Sequence, residues 1–323
     1  MLISRRVFAV ALCVPALTIH GQQRQVSGPV AGYVFDGAAL RPIAGVPGGA
    51  TLGDAISLGV TPGAAIVSPQ LDSAIVTASD GSLHLFRMSG SSATEVTWNG
   101  APHGAERVVY SPSGTAAAIY AAGRIQVVQG LPNSPQLSFA ADAAAPAPER
   151  APESGGTRPA AMAVSDDGQW LLVAGQGSVR LLDASGSTSV LFDVGRAVAV
   201  AFAAGAHRAA VLNGAGPTLE VFPDVTSAPS QRMPVPGFTE PAGIAFSPDG
   251  KLLVAAARSG EPVTVFDVTG GTTAALPCDC VPTGVARMGN MFRLTDAASG
   301  PVWMVDMSAS QPRIVFVPAR GNQ

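Results

Sequence analysis

The chain has 323 residues, a formal net charge of −3 and a charged fraction of 13%, about half of the roughly 25% that is usual in soluble domains. Its lysines and arginines are scattered, without the basic stripe that binding to nucleic-acid phosphates requires. The composition therefore excludes a nucleic-acid-binding protein and indicates a β-rich fold with a surface of small residues.

The N-terminal residues have the pattern of an export signal. Two arginines precede an apolar run, residues 7–17, which is too short for a membrane span of about 20 residues and suits the core of a signal peptide. We predict a signal peptide over residues 1–21, one domain over residues 22–323, and no membrane span. The run Ser4-Arg5-Arg6-Val7-Phe8 resembles the twin-arginine export signature, and the ordinary secretory route is the alternative. The mature protein is expected in the periplasm or outside the cell.

A unit of about 40 residues recurs from about Ala64 to Arg320. Each copy contains an apolar strand, a tight turn, a second apolar strand, a Gly-rich loop, an alternating strand that often ends in Asp, and a fourth strand. Periods of this length are typical of units that bury their apolar faces by stacking on neighbours, and four strands make one propeller blade. Six units are predicted, with equivalent turn positions at Ser68, Ser111, Ser165, Ala203, Ser247 and Arg287.

A partial copy precedes the six units. Val30-Ala31-Gly32-Tyr33-Val34-Phe35-Asp36 followed by Leu40-Arg41-Pro42-Ile43 has the pattern of the third and fourth strands of a unit, and residues 50–59 offer further pairing. We therefore predict an all-β fold, a β-propeller of seven four-stranded blades with about 43 residues each. Six blades with an added N-terminal hairpin is the alternative.

The aspartates of the repeats have turn chemistry. In Ser247-Pro248-Asp249-Gly250 and Ser165-Asp166-Asp167-Gly168, Asp bonds its own backbone and Gly accepts positive φ, while Pro in the first run fixes φ. The strand-end residues Asp183, Asp267 and Asp306 are expected to bond the backbone of the turn between the third and fourth strands. These carboxylates predict turns and no catalytic or metal site.

Residues 142–159 form an insertion between the third and fourth blades, rich in Ala, Pro, Glu, Arg and Gly. That composition disfavours both helix and strand, so it predicts a flexible loop. Two interpretations stay open. The loop is either a tolerated expansion, or a lid or partner-binding arm on the face where ligands bind.

Two cysteines follow the signal peptide, Cys278 and Cys280 in Pro277-Cys278-Asp279-Cys280-Val281-Pro282. In an oxidising compartment the default is a disulfide, although so small a ring removes little chain entropy. A thiolate pair for copper or zinc is the alternative, but a closed zinc site needs four ligands and the sequence offers no nearby histidine. We predict a disulfide, no metal and no other cofactor.

Propeller topology predicts where a binding site would lie. The loops between second and third strands, and those between blades, share one face around the channel, and their charged residues make Asp80, Arg258 and Glu261 the binding-face candidates. A hydrolase would need converging carboxylates, a histidine or a metal at the channel mouth. His84 and His207 are isolated in sequence, and no Gly-x-Ser-x-Gly elbow is present. We predict no catalytic residue.

The repeat also carries a family resemblance. Ile244-Ala245-Phe246-Ser247-Pro248-Asp249-Gly250-Lys251 resembles the repeat of WD40, TolB-like and YVTN (YncE-type) propellers, over essentially the whole mature chain. The Trp-Asp ending of WD40 units is replaced by pairs such as Phe266-Asp267, so the chain looks more like YVTN/YncE-like bacterial secreted propellers. The run Cys278-Asp279-Cys280-Val281-Pro282-Thr283-Gly284 is similar to that of an uncharacterised subgroup. The resemblance implies a fold and no established activity.

These observations lead to a functional expectation. We expect a monomeric, noncatalytic binding or protein-interaction module whose partner, a protein or a small molecule, the sequence does not name. A lactonase-like hydrolase with its site at the propeller channel is the alternative.

Overall fold

The computed structural model of the chain describes residues 28–142, 161–175, 177–193, 197–213, 218–227, 230–234, 240–309 and 311–319. The described residues form 27 strands and one short 3-10 helix, Ala297–Ser299. The predicted signal peptide lies outside them, and so does the predicted insertion loop apart from its first residue. Within these ranges, no helix is long and apolar enough to cross a membrane.

The strands form seven antiparallel sheets arranged as a ring, which is a seven-bladed β-propeller. Sheets two to seven have four strands each, and the N-terminal sheet has three among the described residues. The strands, in chain order, are β1 Val30–Phe35, β2 Leu40–Ala44, β3 Thr51–Leu52; β4 Pro62–Val67, β5 Ser73–Ala78, β6 Leu83–Ser89, β7 Ser92–Val96; β8 Arg107–Tyr110, β9 Ala116–Ala121, β10 Arg124–Gln129, β11 Gln136–Asp142; β12 Ala161–Val164, β13 Trp170–Ala174, β14 Ser178–Asp183, β15 Thr188–Asp193; β16 Ala197–Phe202, β17 Ala209–Asn213, β18 Thr218–Phe222, β19 Gln231–Pro234; β20 Pro241–Phe246, β21 Leu252–Ala257, β22 Val263–Asp267, β23 Thr273–Leu276; β24 Ala286–Met288, β25 Met291–Arg293, β26 Val302–Asp306, β27 Arg313–Val317.

The N-terminal sheet is a blade of its own, so the seven-blade prediction is confirmed and the six-blade alternative is wrong. One face of this first blade packs through Val34 and Ile43 on the seventh blade, and the other packs through Tyr33 and Leu40 on the second. Gly32 makes the close approach to the seventh blade possible, because a Cβ there would lie 2.9 Å from Sδ of Met288. The predicted extra pairing of residues 50–59 exists as β3, which bonds to β2.

The core is a series of apolar layers between neighbouring blades. The second strands of the blades are largely buried, with alanines such as Ala117, Ala210 and Ala256 fully shielded from solvent. Alternate side chains of a strand point to the two neighbouring blades, because side chains in a strand alternate between faces. Small residues at these positions let adjacent sheets approach closely, so the stack of blades forms one continuous ring.

The two ends of the ring differ in the connections they carry. We call the end with the turns between first and second strands, and between third and fourth strands, the turn rim. It includes Ser68, Ser111, Ser165, Ala203, Ser247 and Arg287. The opposite end, with the loops between second and third strands and between blades, is the loop rim. It includes Asp80, Arg258, Glu261 and the cysteine pair.

Candidate functional site

A cavity of about 290 Å³ lies in the central channel. Its wall is formed by the last residues of the innermost strands of blades two to seven, so it occupies the half of the channel nearer the turn rim. Most of the lining is apolar, with Met162, Val164, Phe202 and Phe246 as examples. The first blade closes the ring without contributing to this lining. Among the described lining residues there is no carboxylate and no histidine.

Arg287 is the charged residue of the described lining. It lies within β24, at the repeat position where blades two to six have the Ser or Ala that follows their first strand, and it is only 7% exposed. Its Nη1 donates to the carbonyl oxygen of Gly289 at 3.1 Å, and its Nη2 donates to the carbonyl oxygen of Pro112 in the third blade. Because the third blade lies almost opposite the seventh in a ring of seven, the guanidinium spans the channel at the turn rim.

Hydrogen bonds between blades hold the turn rim together. Asp166 of the fourth blade accepts the backbone N–H of Ser113 from the third blade and of Gly205 from the fifth, both at 2.6 Å. At the junction over the first blade, the N–H of Gly289 donates to the carbonyl oxygen of Pro69 in the second blade at 2.8 Å. The channel therefore ends on this side in a rigid, cross-linked floor.

The recurring aspartates act as predicted. Oδ1 of Asp183 accepts the N–H groups of Ser185 and Ser187, and Oδ1 of Asp267 accepts that of Thr269, each at 2.9 Å. Asp306 is fully buried, and its Oδ2 accepts from both Nε and Nη2 of Arg313. Burial alone would raise the pKa of Asp306, but hydrogen bonds from Ser308 and Arg313 outweigh it and the pKa is lowered.

At the loop rim, Asp80 belongs to the same class of turn. Its Oδ1 accepts the N–H of Ser82 at 2.9 Å and the hydroxyl of Ser82 at 2.6 Å. The Asp-x-Ser/Thr pairs that begin at Asp183, Asp224, Asp267 and Asp306 make the same two bonds. The Ser82 bonds, chiefly the one from its hydroxyl, lower the pKa of Asp80. This carboxylate therefore has a structural partner at the loop rim.

The other predicted loop-rim residues come from the sixth and seventh blades. Arg258 is exposed and Glu261 is half-buried, and both lie in the loop between β21 and β22. The backbone N–H of Arg258 donates to the carbonyl oxygen of Glu240, which anchors this loop. Cys278 and Cys280 form a disulfide with a Cα–Cα distance of 5.2 Å, as predicted.

Sequence reasoning missed a polar chain on the second blade. Oγ of Ser82 lies 2.9 Å from Nε2 of His84, whose Nδ1 lies 2.7 Å from Oε1 of Glu95. The alternation of a strand places Ser82 and His84 on one face, but the position of Glu95 depends on the register of the β6–β7 hairpin. His84 thus has polar partners that its isolation in sequence does not reveal, and so does His207, which contacts Asp167 of the preceding blade at 3.1 Å.

The Ser82–His84–Glu95 chain has the order of a nucleophile, a base and a residue that orients the base. A serine hydroxyl has a single proton, and an ionised carboxylate can only accept. Oγ of Ser82 donates its proton to Asp80 at 2.6 Å, so it has none to donate to Nε2 of His84. The hydroxyl is therefore directed away from the histidine that a nucleophilic serine would need as its base.

No metal centre is formed within the described ranges. No group of three or more His, Cys, Asp or Glu residues comes close enough there to hold a metal ion. A second cavity, of about 390 Å³, lies away from the channel between residues 48–50 and the outer strand of the seventh blade.

Comparison with known proteins supports the fold alone. No protein-family profile matches the chain, and no curated protein matches it in sequence. It is similar in structure to a functionally unknown protein from Desulfotomaculum acetoxidans, with a TM-score of 0.55 and 15% sequence identity over 90% of this chain and 99% of that one. At this identity the likeness extends to the propeller architecture and not to an activity.

Proposed function

We propose that the chain is an exported propeller, freed of a signal peptide at residues 1–21, whose residues 22–323 act as a monomeric, noncatalytic binding module. The observation that carries the proposal is the cavity in the channel, whose described wall is apolar apart from a few polar groups. Concave, mostly apolar pockets with a small number of polar groups are the usual form of small-molecule sites. The proposal includes no metal and no cofactor.

The loop rim is the proposed entrance to this site. Loops on a rigid scaffold commonly carry binding residues, and charges around an entrance steer a partner and select it. Asp80, Arg258 and Glu261 are the proposed binding-face residues there. The repeat at residues 244–251 supports descent from YVTN/YncE-like secreted propellers, and the disulfide is compatible with an oxidising compartment.

Filling the cavity tests the proposal. Ile66 lines the cavity and is 37% exposed, so Ile66→Trp adds bulk where a ligand would lie. Leu137→Trp is the matched control, because Leu137 is 60% exposed on an outer strand. A small-molecule library is screened by ligand-observed NMR against the mature chain and both variants. Ligands that no longer bind Ile66→Trp but still bind Leu137→Trp support the proposal. Ligands that bind Ile66→Trp as well as they bind the wild-type chain overturn it.

The second candidate function is hydrolysis, favoured by the Ser82–His84–Glu95 distances. It requires Ser82 to give its proton to His84 and not to Asp80. The test measures hydrolysis of p-nitrophenyl acetate and of a simple lactone. It compares the mature chain with the variants Ser82→Ala and His84→Ala. A rate that both substitutions abolish would establish an enzyme at this chain of residues, and Asp80→Asn would then change the rate as well. If the wild-type chain hydrolyses both substrates no faster than Ser82→Ala and His84→Ala do, the result supports the binding module.

A further inference from the structure

The cavity has one buried cation in its described wall, and that cation is not balanced at short range. Arg287 lines the cavity with 7% exposure, and its guanidinium donates to two backbone carbonyl oxygens. Among the described residues, no carboxylate lies within 4.0 Å of this guanidinium, the distance that defines an ion pair. A buried charge is costly unless it is paired.

The nearest electrostatic influence comes from the turn rim. Burial lowers the pKa of Arg287, and the charge of Asp166 opposes that effect. Asp166 is itself committed to the N–H groups of Ser113 and Gly205. Arginine keeps its proton in proteins, so the positive charge stays in the channel wall.

The rest of the described wall determines what kind of anion fits. Its volume of about 290 Å³ is at the lower end of the range for small-molecule pockets, about 300–1,000 Å³. Valine, isoleucine, methionine and phenylalanine side chains dominate it, with Tyr110 and Ser111 as further polar residues. Tyr110 points its hydroxyl towards Ser73, and burial raises its pKa, so it adds no negative charge.

We propose that the channel binds a small organic monocarboxylate, with its carboxylate at Arg287 and its apolar body along the wall formed by Met162, Phe202 and Phe246. The planar guanidinium matches a carboxylate by its fork of N–H donors. This assignment rests on the proposed function, since it names the ligand class of the same cavity. It also accounts for the arginine of the seventh blade at the repeat position where blades two to six have Ser or Ala.

Calorimetric titration of residues 22–323 tests the assignment with three probes: hexanoate, its neutral isostere hexanamide, and inorganic phosphate. We expect hexanoate to bind at least about 10-fold more tightly than hexanamide, as a charged hydrogen bond provides, and phosphate to bind more weakly than hexanoate because it has no apolar body. Arg287→Gln should remove the preference for hexanoate over hexanamide. Arg287→Lys should keep part of it.

Arg208→Gln is the matched control. Arg208 also lies at the turn rim and donates to a backbone carbonyl oxygen, that of Gly250 at 3.2 Å, but it is not part of the cavity wall. Equal affinity of the wild-type chain for hexanoate and hexanamide would overturn the assignment while leaving channel binding intact. Binding of neither hexanoate nor hexanamide would overturn the assignment of the ligand class, and binding that Ile66→Trp does not affect would overturn both proposals. If Arg287→Gln does not fold, the wild-type ratio of hexanoate to hexanamide affinity still decides.

Discussion

At the turn rim, Asp166 makes hydrogen bonds from one blade to the next, whereas Asp80 at the loop rim bonds within its own loop. Asp166 joins three consecutive blades, while Asp80 bonds Ser82 two residues away. The difference indicates that one end of the ring serves stability and the other is free to vary. A propeller can therefore change its entrance loops without loosening the floor of its channel.

Lowering the pH should reduce the free energy of unfolding more than any substitution discussed below. It protonates carboxylates of the turn rim in several blades at once. The pKa values of Asp167, Asp249 and Asp306, which lie at the turn rim, are lowered in the folded state. A lowered pKa gives stability that is complete above the unfolded value, about 3.9, and is lost as the pH falls through the folded value. We expect the free energy of unfolding to fall steeply below about pH 4, as measured by denaturant unfolding between pH 7 and pH 2.

Asp306→Asn provides the control for the acid prediction. It should flatten the pH dependence, because it removes the buried carboxylate that pairs with Arg313. Asp80→Asn at the exposed loop rim should flatten it less. If the free energy of unfolding depends on pH with the same slope in both variants, the assignment of acid sensitivity to the turn rim is contradicted.

Asp166→Ala should produce the next largest effect. It removes two hydrogen bonds to an ionised carboxylate, and such bonds contribute about 1.5–3 kcal/mol each, with incomplete additivity. We expect a loss of about 2–3 kcal/mol in the free energy of unfolding. Asp166→Asn keeps one acceptor and should lose about half of that. A loss no greater than that of Asp80→Ala would show that the bonds between blades do not stabilise the ring.

Removing the disulfide at the loop rim should have a smaller effect. Cys278 and Cys280 are separated by two positions, and in the chain-entropy model so short a loop contributes less than about 2 kcal/mol. The double variant Cys278→Ser/Cys280→Ser should therefore unfold cooperatively with only slightly lower stability. Denaturant unfolding of the variant, and of the wild-type chain with and without reductant, measures this. A loss as large as that of Asp166→Ala would contradict it.

Glu95→Gln should have the smallest effect. Glu95 is 53% exposed where it contacts His84, and exposed ion pairs contribute about 0–1 kcal/mol. We expect a change within about 0.5 kcal/mol at pH 7, measured by thermal unfolding. The introduced amide would keep an acceptor for Nδ1 of His84, so a larger loss would mean that the charge of Glu95 matters to the fold.

The sequence predicts the ring better than the site inside it. The blade number can be predicted from the repeats, because every copy must present the same apolar faces. The turns at Asp183 and Asp267 can be predicted because the hydrogen-bond partners of these residues are two to four positions away. Counting along the repeats makes Arg287 equivalent to Ser247, but the structure places Arg287 within β24, and its partner Pro112 is 175 residues away. A contact across the channel depends on how the blades close, which no local pattern encodes.

The polar chain on the second blade has the same physical limit on a smaller scale. Ser82 and His84 share a face by strand alternation, whereas Glu95 arrives through the hairpin pairing of Phe86 with Glu95. A shift of one residue in that register would turn Glu95 to the other face. The pairing of His207 with Asp167 likewise needs two adjacent blades to be docked.

The position of the first blade between the second and the seventh has a consequence for biosynthesis. Its two faces are covered by the second blade and by the seventh, through residues such as Tyr33 and Val34 respectively. The ribosome makes the first blade before the seventh, so the apolar face around Val34 and Ile43 stays uncovered until the seventh blade has been synthesised. Vectorial folding can thus stack blades in order, but the ring closes only after the seventh blade has emerged.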